Sequence, residues 1–218
     1  MRVIIYVEGI SDKLAMEVLL RDLIIKKRLN GIDIGFFEAP PGDKKESMIN
    51  KVPSRAVNIL RNGTEDIVIA IPDLYPKNKG FPHNTHEELT IGIENIFKKE
   101  WLRKVGLDDA RVYERFRVFC FKHDLEALIL AAHEALQERL DAQHLVPVWK
   151  IPVEEQNGLN PPKYIVEKLF KDHGQRYREK IEAPLILGRA DYQVIAERCN
   201  QCFKPFVIFL ESLIKDGA

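Results

Sequence analysis

The sequence predicts an α/β fold in which a mainly parallel, four-stranded sheet lies between helices. Four short apolar or β-branched runs are separated by segments whose apolar residues recur at helical spacing, which is the alternation typical of βαβ units. The first run is apolar without strict alternation, as expected for a strand that is buried on both faces. With 218 residues and 45% hydrophobic content, the chain is long enough to bury a sizeable core.

Each predicted strand is followed by a helical pattern or a turn-rich loop. The strands are predicted at residues 2–7, 32–37, 66–71 and 116–121. Ser11 is the predicted cap of the first helix, which ends near the basic residues 26–28. Further helices are predicted near residues 48–60, at 87–101 and after residue 123, where Asp124 is the candidate cap. Helical connections between strands place the C-terminal strand ends at one edge of the sheet.

From about residue 134 the pattern changes to helices separated by breaks. Asn157-Gly158 predicts a turn, and Asn160-Pro161-Pro162-Lys163 predicts a helix start where proline needs no N–H donor. The last two helices are predicted at residues 191–199 and 203–215. We therefore expect an α/β domain, residues 1–133, and a helical extension, residues 134–218, packed on it. The phenylalanine-rich face of the last helix is interpreted as core, with a homodimer interface as the alternative.

Charge and cysteine content narrow the class of protein. The 33 Lys and Arg residues balance 33 Asp and Glu residues, which excludes the basic composition of a dedicated nucleic-acid coat protein. Three cysteines form no even disulfide framework, and the N-terminus lacks the pattern of a signal peptide. No apolar run approaches the roughly 18 residues that span a bilayer. We expect a cytoplasmic protein with no membrane partner.

Three carboxylates are predicted at or just beyond the ends of different strands. Glu8 closes the first strand, Asp73 follows the third strand after a proline, and Glu126 begins the apolar helix after the fourth. Ligands of open α/β sheets bind at these strand ends. Clustered carboxylates repel one another and are favourable mainly around a hard cation such as Mg²⁺ or Mn²⁺. Such a cation can activate water against a phosphodiester, so the three acids predict a catalytic metal site for that chemistry.

Each acid also has a purely structural interpretation. Glu8 could cap the following helix or pair with a lysine. Asp73 could be an ordinary turn residue. Glu126 has apolar neighbours in sequence, so its charge requires compensation by a metal, a base or a helix N-terminus.

Three basic side chains are candidates for substrate binding at the same edge. Lys44 and Lys45 follow the second strand and could contact a phosphate backbone, or they could form a solvated loop tip. His123 directly precedes the acidic helix and could bind phosphate or transfer a proton. A structural role is the alternative for this histidine.

The motif Val7-Glu8-Gly9-x-Ser11-Asp12 at the end of a first strand, with an aspartate closing a later strand, resembles the TOPRIM domain of topoisomerases, primases and OLD-family nucleases. An ordered set of further motifs is similar to a small bacterial TOPRIM-like family related to the OLD nucleases. This set spans nearly the whole chain and consists of residues 124–131, residues 160–163 and Phe203-x-x-Phe206.

The resemblance implies a four-stranded, mainly parallel sheet and a Mg²⁺ site. It implies that Glu8 is a general acid/base or metal ligand and that Asp73 is the first aspartate of a D-x-D motif. Tyr75 stands where that motif has its second aspartate, and Glu126 is the candidate replacement.

Two functions are consistent with these residues and this resemblance. The first is a Mg²⁺-dependent nuclease acting on DNA or RNA, similar to effectors that are encoded beside ATPases in antiphage or mobile-element systems. The alternative is a catalytically reduced TOPRIM-like module that binds a partner ATPase or senses a ligand. The neutral net charge and Tyr75 favour the alternative.

Overall fold

The computed structural model describes residues 1–75, 81, 83–123, 125–156 and 160–215. It contains a parallel sheet of four strands, β1 (Arg2–Val7), β2 (Asp33–Glu38), β3 (Ile67–Ile71) and β4 (Phe116–Val118), in the order β2-β1-β3-β4. The predicted α/β class with a four-stranded parallel sheet between helices is therefore confirmed. The predicted Asp124 cap and the Asn157-Gly158 turn lie outside the described residues.

Helices connect the strands and make up the described C-terminal half. The first half contains α1 (Ile10–Leu19), α2 (Arg21–Leu29), α3 (Lys44–Glu46), a π-helical turn (Ser47–Lys51), α4 (Val52–Asn62), α5 (His86–Val105) and α6 (Ala110–Glu114). After β4 come α7 (Glu126–Ala131), α8 (His133–Arg139), a 3-10 turn (Val153–Glu155), α9 (Pro162–Asp172), α10 (Glu179–Leu187), α11 (Tyr192–Arg198) and α12 (Phe203–Ser212). In the described ranges, none of these helices combines the length and the apolar character needed to cross a membrane.

The sheet is buried on both faces. On one face, residues such as Ile5 pack in a cluster with α1 and the C-terminal helices, including Phe206. On the other face, residues such as Val68 pack with α4 and α5. Burial on both sides explains why the central strands β1 and β3 are largely apolar without alternation, whereas the edge strands β2 and β4 include exposed residues. The extension shares a core with the sheet, and the domain boundary at residue 133 stays a prediction.

The first helix differs from its predicted form. It begins at Ile10 with Gly9 in the cap position, so Ser11 lies inside the helix and is buried. The Asp12 carboxylate accepts a hydrogen bond from the Gly9 N–H at 2.9 Å. This contact satisfies an amide that a helix leaves unpaired at its start, and it replaces the predicted role of Ser11.

Helix α12 is held at both ends by side chains from distant segments. Glu154 accepts hydrogen bonds of 2.7–3.1 Å from the backbone N–H groups of residues 201–203. At the other end, the ammonium group of Lys27 donates to the carbonyls of Glu211 and Leu213 at 2.6 and 2.7 Å. Each side chain carries the charge that complements the helix dipole at that end. The contact through Lys27 also joins the extension to α2.

Candidate functional site

The ends of β1 and β3 place Glu8 and Asp73 side by side. Beyond the last residue of β4, Phe121 donates to the Pro72 carbonyl at 2.9 Å and accepts from the Leu74 N–H at 2.6 Å. These bonds and an isolated bridge between Asp73 and Phe121 continue the parallel pairing past the strand ends. The Asp73 N–H then donates to Glu8 Oε1 at 3.1 Å. The backbone of one predicted site residue therefore orients the carboxylate of the other.

A small cavity, here called the acidic cavity, lies at this edge of the sheet. It has a volume of about 20 Å³, which is room for a single water molecule or ion. Three of its lining side chains are carboxylates, those of Glu8, Asp12 and Asp73. The rest of the lining is apolar and comes from Val7, Met16, Ile71, Phe121 and Leu125.

Asp12 is the site residue that sequence reasoning missed, although it belongs to the quoted motif. The available signal was its position three residues after Gly9, because an acidic side chain at the third position of a helix reaches back to the N–H of the cap residue and so lies at the strand end. Burial raises the pKa of Asp12 to about 6, with further contributions from the negative charges of Glu179 and Glu8. The Gly9 N–H and the positive charge of Lys44 partly oppose this rise in pKa. A proton or a cation would relieve the crowding of negative charge here.

The two candidate lysines occupy different environments. Lys44 is exposed, and its Nζ lies 2.8 Å from the position that a Cβ atom would take on Gly9. Its charge therefore stands at the rim of the acidic cavity. Lys45 is only 8% exposed, so the solvated loop tip is wrong for this residue. Burial raises the pKa of the Cys120 thiol, and the negative charge of Asp73 adds to this rise. The positive charge of Lys45 opposes the rise in pKa, so Lys45 lies near the thiol.

Glu126 lies in a neighbouring charged cluster and does not line the acidic cavity. It is fully buried at the start of α7, and the Nζ of Lys163 lies 3.7 Å from its Oε1. The same Nζ lies 2.8 Å from Glu179 Oε2. Burial and then the charge of Glu126 raise the pKa of the Tyr177 hydroxyl. The base that compensates Glu126 thus comes from the helical extension.

Glu179 connects this cluster to the acidic cavity. Burial opposes ionisation of Glu179, but Lys163, Ser11 and Lys44 together hold its pKa below the usual value. Its negative charge in turn raises the pKa of Asp12. Helix α10 of the extension therefore contributes to the electrostatics of a site at the end of β1.

Tyr75 and His123 form a stacked pair beside the acidic cavity. Their ring centroids are 5.6 Å apart, with an angle of 23° between the planes. His123 is buried and lines a larger groove instead of the acidic cavity. The structure thus brings Glu8 and Asp73 together with Lys44 at the rim, and it places Glu126 and His123 in adjoining regions.

Comparison with protein families assigns the chain. A family model described as "Domain of unknown function (DUF4276)" matches residues 7–211. The chain belongs to this family. A search of curated proteins finds no match to this DUF4276 chain.

Two solved structures are similar to the DUF4276 chain over nearly its full length. One is the C-terminal region of the Burkholderia pseudomallei OLD protein, with a TM-score of 0.48, 15% sequence identity and coverage of 96% of each chain. The other is the C-terminal region of the Xanthomonas campestris pv. campestris OLD protein phased with mercury. Its TM-score is 0.43 at 13% identity, covering 95% of this chain and 97% of that chain.

The donor set of the acidic cavity suits a hard divalent cation. In the described part of this DUF4276 protein, no group of three or more His, Cys, Asp or Glu side chains is arranged to hold a metal ion by itself. Mg²⁺ commonly keeps several water ligands and takes only one or two carboxylates together with substrate phosphates. Glu8, Asp12 and Asp73 line a space for one ion, so one or two of their carboxylates could serve in that mode of binding.

Proposed function

We propose that this protein is a Mg²⁺- or Mn²⁺-dependent nuclease of the TOPRIM type that hydrolyses phosphodiester bonds in DNA or RNA. The observation that carries the proposal is the meeting of Glu8, Asp12 and Asp73 around one ion-sized cavity at the C-terminal edge of a parallel sheet. When bound, a divalent cation would polarise the phosphodiester and lower the pKa of an attacking water.

The protein supplies orientation and charge to this chemistry. The Asp73 amide and the Gly9 amide each hold one carboxylate, those of Glu8 and Asp12, at the cavity. Fixed carboxylates bind a cation without first losing side-chain freedom. Lys44 adds a positive charge at the rim, where it would attract the phosphate backbone of a substrate.

The wider setting of the proposal rests on the family resemblance of the motifs. In this setting the protein binds DNA or RNA, acts with an ATPase that is encoded nearby, and serves as an effector in antiphage defence or in mobile elements. The setting also comprises action in the cytoplasm, which accords with three free cysteines, Cys120, Cys199 and Cys202, that are all buried. A homodimer belongs to the same set of proposals.

Glu8→Gln tests the site directly, because glutamine keeps the size of the side chain and removes its charge. We expect wild-type protein to cleave single- or double-stranded substrates only with Mg²⁺ or Mn²⁺, and the variant to lose about 100-fold or more in rate. Mn²⁺ titration followed by electron paramagnetic resonance should show weaker binding to the variant.

Glu38→Gln is the matched control. Glu38 ends the neighbouring strand and pairs in register with Val7, but it is exposed and does not line the acidic cavity. Cleavage and Mn²⁺ binding should be unchanged in this variant. The proposal fails if wild-type protein neither binds Mn²⁺ nor cleaves any nucleic acid, alone or with the product of the neighbouring ATPase gene.

A second candidate function is a catalytically reduced module that acts through a partner ATPase. The stacking of Tyr75 on His123 favours it, since an aromatic ring replaces a carboxylate at the second motif position. This function predicts a stable complex with the ATPase in size-exclusion chromatography and no metal-dependent cleavage by that complex. Cleavage that is lost in Glu8→Gln would exclude it.

A further inference from the structure

A groove of about 510 Å³ adjoins the acidic cavity, and we call it the stacking groove. Its volume lies within the range of sites that bind small organic ligands, roughly 300–1,000 Å³. Its lining includes the rings of Tyr75, His86 and His123, the amide of Asn84, the ammonium group of Lys122 and the carboxylates of Glu87, Glu154 and Glu155. Two of these carboxylates are engaged at the start of α12, since Glu154 accepts hydrogen bonds from the N–H groups of residues 201–203 and Glu155 accepts one from Gln201.

The groove and the acidic cavity are built on the same two backbone segments. Asp73 and Phe121 line the acidic cavity, while the residues that follow them, 74–75 and 122–123, line the groove. The Leu74 N–H donates to the Phe121 carbonyl at 2.6 Å, so the two segments are held together at the boundary. A ligand in the groove would therefore lie next to the carboxylates.

The rings of Tyr75 and His123 are already stacked at 23° to one another. His123 is buried and supports the pair, whereas Tyr75 is half-buried and presents part of its ring to the groove. Stacking of a base on such a ring contributes about 1–3 kcal/mol to the binding of unpaired nucleic acid, and it tolerates different sequences because every base has a π-face.

Lys122 places one positive charge in the groove, beside the three carboxylates, and the position of this charge is fixed. Its ammonium group donates to the side-chain oxygen of Gln201, and the amide of Gln201 donates to Glu155 at 2.9 Å. This chain of contacts ties the groove to the start of α12. Because carboxylates outnumber the lysine, affinity in the groove would come from stacking of a base on the rings and not from attraction of phosphate.

We propose that the stacking groove binds an unpaired base of a single-stranded nucleic acid, with Tyr75 as the stacking platform, next to the acidic cavity. The proposal rests on the proposed nuclease function for its meaning, since it assigns single strands as the substrate class. The residue that departs from the D-x-D pattern then supplies recognition of the substrate where that pattern has a metal ligand.

Affinity measured in the absence of metal ions tests base binding by the groove independently of cleavage. Fluorescence anisotropy with a labelled single strand, in EDTA, reports affinity while no cleavage occurs. We expect Tyr75→Ala to weaken binding roughly tenfold, which corresponds to about 1.4 kcal/mol, and Tyr75→Phe to bind nearly as wild type because the ring is kept. Tyr164→Ala is the matched control, since Tyr164 is a half-exposed aromatic on α9 outside the groove, and it should bind as wild type.

The ligand itself supplies the second comparison. Wild-type protein should bind a strand of the same length with abasic sugars as weakly as Tyr75→Ala binds the normal strand. Tyr75→Ala should bind the abasic and the normal strand with equal affinity. A duplex should bind more weakly than the single strand. Equal affinity of wild type and Tyr75→Ala, equal losses in Tyr75→Ala and Tyr75→Phe, or binding of a free mononucleotide alone would overturn the proposal.

A measurement on the wild-type protein guards against misfolding of the alanine variant. Irradiation of a complex with a strand carrying 5-iodouracil, followed by mass spectrometry, should place the adduct on Tyr75 or on His123. Adducts confined to peptides outside residues 73–75 and 121–123 would refute it. Base-dependent binding without cleavage would support the stacking groove and contradict the proposed nuclease function. Cleavage at the same rate in wild type and Tyr75→Ala would support the nuclease function and contradict the stacking groove.

Discussion

Replacing Asp12 by Asn should stabilise the metal-free protein at neutral pH. Burial and the negative charges of Glu179 and Glu8 raise the pKa of Asp12 to about 6, so ionised Asp12 is unfavourable in the folded state. Asparagine carries no charge, and its side-chain oxygen retains the ability to accept the hydrogen bond from the Gly9 N–H. The substitution therefore removes the repulsion and keeps the helix cap.

The size and pH dependence of the effect follow from the two pKa values of Asp12. The folded-state pKa of about 6 exceeds the unfolded value of 3.8, so the folded state binds the proton more tightly and wild-type stability falls as pH rises between them. The advantage of the variant in free energy of unfolding should grow from about 1 kcal/mol near pH 4.5 to about 3 kcal/mol near pH 7. The difference of about 3 kcal/mol near pH 7 corresponds to roughly 6–12 °C in melting temperature for a chain of this length.

Urea denaturation followed by circular dichroism, in EDTA across this pH range, measures the difference. Asp22→Asn on α2 is the control, because the side chain of Asp22 is 87% exposed and its substitution should change little. Saturating Mg²⁺ should stabilise wild type, by about 2.7 kcal/mol at 100 times the dissociation constant, and should stabilise Asp12→Asn less. A pH-independent difference between wild type and Asp12→Asn would refute the account of Asp12.

Two further predictions concern stability. Glu154→Gln removes the charge that caps α12 at residues 201–203 and should lower the free energy of unfolding by about 2 kcal/mol, so unchanged urea midpoints would contradict the capping role. Hydrogen bonding to Arg198 lowers the pKa of Glu134 from 4.5 to about 2, so the stabilisation is present above pH 4.5 and is lost as pH falls toward 2. Because the pair is largely exposed, Glu134→Gln should lower the free energy of unfolding by less than about 1 kcal/mol at neutral pH. Near pH 2 the variant and wild type should be equally stable in urea denaturation. A difference in stability that persists at this pH would contradict the role of the ion pair.

The strands and their common edge could be predicted because their causes are local. After Arg2, the runs that form β1 and β3 are apolar or aromatic without alternation, as expected for strands buried on both faces. Their parallel arrangement follows from the helices between them. The positions of Glu8 and Asp73 at one edge follow from the same pattern. The short β4 was predicted too long, because its continuation to Phe121 is an isolated bridge and not a continuous ladder.

The partners of the charged residues could not be predicted, because they depend on contacts between distant segments. Nothing local to Glu126 indicates that Lys163 of α9 reaches it, or that Glu179 of α10 lies close enough to act on Asp12. The burial of Lys45 likewise depends on how the segment after β2 packs on the sheet.

The chain thus encodes locally which residues form strands, which strand ends carry carboxylates, and where an aromatic ring takes the place of an acid. Periodicity and residue type act over a few positions, and they are visible in one dimension. Tertiary packing decides which charges meet, because each pKa and each cavity depends on distances that no local pattern sets. The shared edge of the sheet was therefore predictable, whereas the acidic cavity with Asp12 and the stacking groove on Tyr75 required the folded structure.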